Sequence, residues 1–389
     1  MPPAAITRSS RRRRSRPDHP VGPMNPQTIL SRDGAPVVTA ANPRPILALD
    51  GVSKRFVKPL DAAEKVANIF GAGLREQVVR AVDDVNLTVA EGEVIGLVGE
   101  SGCGKSTLGR VISGILDPSA GTVAFRGQDV ARLGGRERRA ADLAVQMVFQ
   151  DPMASLNPRR RVVEIIGEAP VVHGIVPAAD MEAYVADVMT RVGLDPSTRR
   201  RYPHQFSGGQ RARIGIARAL AVKPKVLVCD ESTAALDVSI QAQVLNLFMK
   251  LREEFGLTYI FVSHDLGVVE HIADRVAVMY LGRIVELAPA EELFQAPNHP
   301  YTQALLDEVP RLDAKKRKFS ALKGEIPSPL NPPSGCHFHP RCPHAFDRCK
   351  VDRPALKAIA PGRFSACHLN DGPEPRPGKA FADGAVLAS

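Results

Sequence analysis

The stretch best suited to chemistry is Gly99-Glu100-Ser101-Gly102-Cys103-Gly104-Lys105-Ser106-Thr107. It has the form G-x-x-x-x-G-K-[ST], in which glycines let backbone N–H groups close round phosphate oxygens with no side chain in the way. Lys105 is expected to reach the β- and γ-phosphates of a nucleotide, and the Ser106 hydroxyl to ligate Mg²⁺. The flanks agree with that reading. Apolar Val94–Val98 runs into the loop, and a helical run through Ile115 leaves it, so a helix N-terminus adds partial positive charge where phosphate would sit.

Three further groups fit the same chemistry. The apolar strand Val226–Cys229 ends in Asp230-Glu231, which puts one carboxylate on the Mg²⁺ shell and the next beside an attacking water. His264 follows the apolar run Tyr259–Val262 and can contact a γ-phosphate. Gln150 follows Val145–Phe149 and can bind Mg²⁺ or the water. Ser207-Gly208-Gly209-Gln210 opens a helix rich in Ala, Ile and Arg, which makes a second phosphate site. One chain does not need two such sites for one triphosphate, so this one is expected to complete the pocket of a partner subunit.

The elements that position these groups form an α/β pattern. Short apolar runs, with Val276–Tyr280 as the fifth, alternate with amphipathic stretches from about residue 45 to 295, as in a mostly parallel sheet. Four of the five runs end directly in a polar motif, and the carboxyl ends of strands are where open α/β sheets hold ligands. Helical periodicity in Val162–Ile166 and Met181–Val192 marks an inserted helical segment at about 151–206. Past 295 the composition turns to Pro, His and Cys, which predicts a small appendage at 296–370, with a flexible tail at 371–389.

The formal charge of +9 is unevenly placed: residues 1–44 contribute +6, leaving +3 for the rest. That segment reads as a disordered basic tail, and the nearly neutral remainder argues against a nucleic-acid partner. No apolar run approaches the roughly 18 residues a membrane-spanning helix needs, and the start lacks the apolar segment of an export signal. The chain is therefore expected in the cytoplasm.

Together the motifs resemble the full set of an ABC transporter nucleotide-binding subunit: Walker A at 99–107, the Q-loop Gln150, the signature Ser207–Gln210, Walker B ending at Asp230 with Glu231, the D-loop Asp237 and the switch His264. The resemblance implies a P-loop ABC-type domain at 45–295 with a β-rich N-terminal subdomain, the helical insertion and a Cys-rich C-terminal appendage. It also implies an aromatic stacked on adenine, for which Phe56 is the candidate. Three strings are similar to the oligopeptide/dipeptide uptake branch: Gln150 to Arg159, Arg201 to Phe206, and His299-Pro300-Tyr301-Thr302-Gln303-Ala304-Leu305-Leu306. Glu231-Ser232-Thr233-Ala234-Ala235-Leu236-Asp237 departs from the branch, which usually has Pro after the Glu.

The resemblance implies an importer ATPase that takes up peptides, peripheral on the cytoplasmic membrane face. Its partners would be a second ABC ATPase subunit, two membrane-spanning permease subunits and an extracytoplasmic substrate-binding protein. Catalysis would fall to Glu231, His264 and Gln150, with Mg²⁺ on Ser106, Gln150 and Asp230. The rival reading is a soluble ABC-type ATPase acting on nucleic acid or ribosomes, with the arginine-rich tail as its handle.

Four of the six cysteines, Cys336, Cys342, Cys349 and Cys367, crowd one late segment with several prolines and histidines. Without an export signal, metal or cluster ligation is favoured over disulfides. Spacing leaves a [4Fe–4S] cluster and zinc both open; resemblance to peptide-uptake ATPases favours the cluster.

Overall fold

The computed structural model describes residues 45–71, 73, 75–234, 236–308 and 324–372. The tail expected at 1–44 lies outside the described residues, and so does the tail expected at 371–389 apart from its first two residues.

Strand β1 (Leu47–Lys58) alternates buried and exposed positions over its first half and pairs antiparallel with β2 (Gln77–Val89). Between them lies a helix, Ala62–Ile69. Strand β3 (Val94–Val98) is buried at every position, and its two-sided burial explains why it reads as an unbroken apolar run rather than an alternating one. Strands β4 (Ala120–Phe125) and β5 (Gln128–Asp129) complete a four-stranded antiparallel sheet in the order β2-β1-β4-β5.

The second sheet is built round β3. It takes in β6 (Val145–Val148), β7 (Val226–Asp230), β8 (Thr258–Val262) and β9 (Arg275–Tyr280), with parallel pairs β6–β7, β7–β8, β8–β3 and β3–β9. The five apolar runs of the sequence are these five strands, with ends that differ by a residue at most. Between β6 and β7 the expected insertion is helical, with helices Val162–Val172 and Met181–Arg191 ahead of the helix Gly208–Leu220.

Alternate residues of the parallel strands feed two cores. Ile95, Leu97, Val226, Val228, Ile260 and Val262 pack toward the antiparallel sheet and the helix Lys105–Ile112. Val94, Val98, Leu227, Cys229, Tyr259 and Phe261 face the other way, against the helices of 162–255.

The described residues of the small appendage expected at 296–370 share a sheet with the strands before them. After β9 the chain turns back as β10 (Arg283–Pro289), and β11 (Lys357–Ala360) and β12 (Arg363–Ser365) extend the same sheet, giving the order β11-β12-β10-β9-β3-β8-β7-β6. Tyr301 and Phe338 are fully buried and belong to the same core as Tyr280 of β9. The three rings meet at centroid separations of 4.6, 5.4 and 5.4 Å. The Pro-, His- and Cys-rich segment thus shares its core with β9.

Candidate active site

The loop 99–107 leaves the end of β3 and enters the helix Lys105–Ile112. Gly104 caps that helix at φ +107°, and a Cβ there would stand 2.0 Å from the Ala81 carbonyl oxygen of β2. Only glycine lets the loop pass so close to a neighbouring strand. The loop is also tied to the turn after β9, where the Gly282 N–H donates to the Cys103 carbonyl at 2.8 Å. Lys105 is buried, and its ammonium donates to the carbonyls of Gly99 (2.7 Å) and Glu100 (3.0 Å), so the charge lies folded across the mouth of the loop.

Ser106 Oγ donates to Asp230 Oδ1 at 2.7 Å, joining the loop to the carboxyl end of β7. Asp230 is almost fully buried. Burial pushes its carboxyl up from the usual range, opposed by the Ser106 hydrogen bond and by the charge of Arg110. A hydroxyl and a carboxylate in contact at this place are the hard oxygen donors that Mg²⁺ takes.

Glu231 follows with φ +43°, held there by its N–H donating to the Val262 carbonyl of β8 at 2.9 Å. This turn aims the carboxylate at residues from both flanking strands. Gln150, past the end of β6, donates from Nε2 to Glu231 Oε2 at 2.7 Å. His264, past the end of β8, brings Nδ1 within 3.5 Å of Oε1. Two residues, one 81 positions before Glu231 and one 33 after it, thus converge on its carboxylate, because β6, β7 and β8 are neighbours in the sheet.

The other expected site residues lie elsewhere. Ser207 caps the helix Gly208–Leu220, accepting from the Gln210 N–H while Gln210 Oε1 accepts from the Ser207 N–H. Ser207, Gly208 and Gln210 are exposed, and among the described residues no hydrogen bond joins them to the loop 99–107. Asp237 is exposed at the start of the helix Val238–Phe255. Phe56 is 42% exposed on β1, with the Lys54 ammonium 5.5 Å from its ring centroid; Phe70 is more exposed still.

The four late cysteines are free thiols lining one small cavity with His299, His339, His344 and His368. Burial first, then the charge of the other three sulfurs, raises the Cys367 thiol to about 12. Among the described residues, however, no group of three or more His, Cys, Asp or Glu stands close enough together to hold a metal ion.

Two residues at the loop escaped the sequence. Tyr301 Oη accepts from the Glu100 N–H at 2.9 Å, and Arg341 grips the Glu100 carboxylate at 2.7 and 2.9 Å. Tyr301 had one sequence signal, its place in the string His299 to Leu306, and Arg341 had none.

Comparison with known proteins accounts for both halves of this arrangement. Residues 82–234 match the ABC transporter model, and residues 285–349 match the oligopeptide/dipeptide transporter C-terminal region. The oligopeptide transport ATP-binding protein AppF of Bacillus subtilis is 50% identical over 336 residues, covering 85% of this chain and 99% of that protein. The chain belongs to the ABC transporter family. A probable peptide ABC transporter ATP-binding protein of Sinorhizobium fredii, y4tS, is 49% identical over 83% of this chain and 90% of its own length. Among solved structures, the dimeric post-hydrolysis ATP-binding cassette MJ0796 bound to ADP and Pi matches with 26% identity and a TM-score of 0.53, covering 63% of this chain and 98% of that one. Clostridium perfringens cbiO1, part of the ABC transporter complex cbiONQ, matches with 27% identity and a TM-score of 0.52, covering 65% and 91%. This ABC-type ATPase has, among its described residues, no helix long and apolar enough to cross a membrane.

Proposed function

We propose that this ATPase binds Mg-ATP on Gly99–Thr107 and hydrolyses it to drive peptide uptake through separate permease subunits. The observation that carries the reading is the meeting of Gln150 and His264 on the Glu231 carboxylate beside the Ser106–Asp230 pair. Lys105 releases the carbonyls of Gly99 and Glu100 and turns its charge to the β/γ-phosphates. Glu231 orients the attacking water, Gln150 holds the Glu231 carboxylate, and His264 faces the γ-phosphate. Ser106, Asp230 and Gln150 would hold Mg²⁺, which when bound would supply charge neutralisation of the phosphates.

Because Ser207–Gln210 presents an exposed capped helix start with no bond to its own loop, it serves the nucleotide of a second ATPase subunit paired head to tail. Phe56 supplies the stacking face for adenine, and Asp237 lies at the contact between the two subunits. An open groove of about 520 Å³, lined by Leu133, Arg138, Leu143, Ala169, His173 and Val222, lies where the insertion meets the core and offers the permease subunits a seat. A substrate-binding protein outside the membrane completes the importer. The rival action on nucleic acid has no support in the relatives, whose names are those of transport proteins.

Cys336, Cys342, Cys349 and Cys367 meet the chemical half of the fit to a [4Fe–4S] cluster, four free sulfurs on one cavity, but not the geometric half. We keep the cluster as the proposed occupant, with zinc second, and route no step of ATP hydrolysis through it.

Glu231→Gln tests the catalytic reading. It should retain ATP binding and stall hydrolysis in the assembled transporter; wild-type turnover would remove Glu231 from its role.

A further inference from the structure

Glu100 is an anomaly in a loop built to hold phosphates. Its carboxylate is 18% exposed and sits five residues before the lysine that faces the nucleotide, where an unpaired negative charge would repel a triphosphate. The structure removes that charge from a distance of 241 residues. Arg341, whose side chain is 4% exposed, donates from both terminal nitrogens to the two Glu100 oxygens at 2.7 and 2.9 Å, the fork-to-fork geometry that fixes orientation as well as charge. The Tyr301 hydroxyl meanwhile accepts from the Glu100 N–H at 2.9 Å, holding the backbone of the same residue. Both partners are themselves held. Tyr301 is fully buried against Tyr280 and Phe338, the Arg341 guanidinium lies 6.0 Å from the Tyr280 ring centroid, and the Arg341 N–H donates to the Phe338 carbonyl at 3.0 Å.

We propose that Arg341 is a positioning residue for ATP binding: it neutralises and turns aside the Glu100 carboxylate so that the phosphate loop presents net positive charge to the nucleotide. The C-terminal region is then a working part of the nucleotide site. This inference rests on the assignment of Gly99–Thr107 as the ATP site.

The alternative is a brace that merely stabilises the fold, and the two differ in how charge enters. If the ion pair matters as a brace, removing either partner should weaken ATP binding, and removing both should not help. If Arg341 acts by cancelling Glu100, only the variant that leaves Glu100 uncancelled should suffer. Arg341→Gln should raise the Kd for ATP about tenfold, equivalent to about 1.4 kcal/mol. Arg341→Lys, which keeps the charge without the fork, should raise it only about threefold. Glu100→Gln should bind ATP at least as tightly as wild type, and Glu100→Gln combined with Arg341→Gln should recover most of the loss.

The experiment is equilibrium ATP binding to the full-length chain purified without oxygen, with the melting temperature of each variant recorded alongside. A Kd for Arg341→Gln within twofold of wild type, or a double variant no better than Arg341→Gln alone, overturns the proposal. If Arg341→Gln does not fold, Glu100→Gln decides: ATP binding more than twofold weaker than wild type also overturns it. Lys105→Ala separates the two levels. Its loss of ATP binding alongside an indifferent Arg341→Gln refutes only the role of Arg341, whereas wild-type binding by Lys105→Ala refutes the ATP site itself.

Discussion

Two alanine substitutions in the phosphate loop should differ in cost by an amount set by one neighbouring carbonyl. Gly102 has φ +78° and nothing within 4 Å of the position a Cβ would take. Gly102→Ala therefore incurs only the left-handed backbone penalty, about 1–2 kcal/mol. Gly104 has φ +107°, and its Cβ would meet the Ala81 oxygen at 2.0 Å and the Ala81 carbonyl carbon at 3.2 Å. Those atoms belong to the backbone of β2, where Arg80 and Val82 on either side of Ala81 pair with Arg55 and Lys54 of β1 across a register shift, so they are not free to swing aside as the end of a side chain would. Overpacking of that kind adds about 1–3 kcal/mol to the backbone term, for a total of about 2–5 kcal/mol. At about 2–4 °C per kcal/mol for a chain of this class, Gly102→Ala should lower the melting temperature by about 2–8 °C and Gly104→Ala by about 4–20 °C. Calorimetry on the nucleotide-free chain, both variants in one buffer, measures the difference. Equal melting temperatures, or a lower one for Gly102→Ala, would show that β2 does not press on the loop as described.

Lys105→Ala should abolish ATP binding, while Glu231→Gln should bind ATP and lose about 100-fold or more in turnover, readable by pairing a binding isotherm with phosphate release. The purified chain alone should show low ATPase activity that rises with concentration as the exposed Ser207–Gln210 segment finds a partner; a demonstrated monomer with full, concentration-independent activity would contradict that. Chain purified without oxygen should carry iron and sulfide in equal amounts, about four of each. A colourless protein with stoichiometric zinc, or with no metal, would exclude the cluster.

What the sequence revealed and what it hid divide along contact distance. The strands β3, β6, β7, β8 and β9 were legible because burial on both faces writes an apolar run into adjacent residues. The loop 99–107 was legible because its glycines and its lysine are needed within one turn of chain. The convergence of Gln150 and His264 on Glu231 was not, since it depends on β6 and β8 flanking β7, and on a positive φ at Glu231 that a cross-strand hydrogen bond imposes. Arg341 was hidden for a stronger reason. Nothing around it reports a partner 241 residues away, and its neighbours drew attention to sulfur rather than to charge. Strands β11 and β12, four and three residues long, are too short to show any alternation.

The continuity of the central sheet bears on how this subunit can be cut and recombined. A designer exchanging C-terminal regions between related transporter subunits would place the junction near Gln295, where the composition changes. That cut removes β11 and β12 from the edge of β10, and it takes from Tyr280 the two rings, Tyr301 and Phe338, that cover it. A graft at this point would have to bring ring-for-ring replacements and an arginine able to meet Glu100, so the two regions fit as a matched pair and not as interchangeable modules.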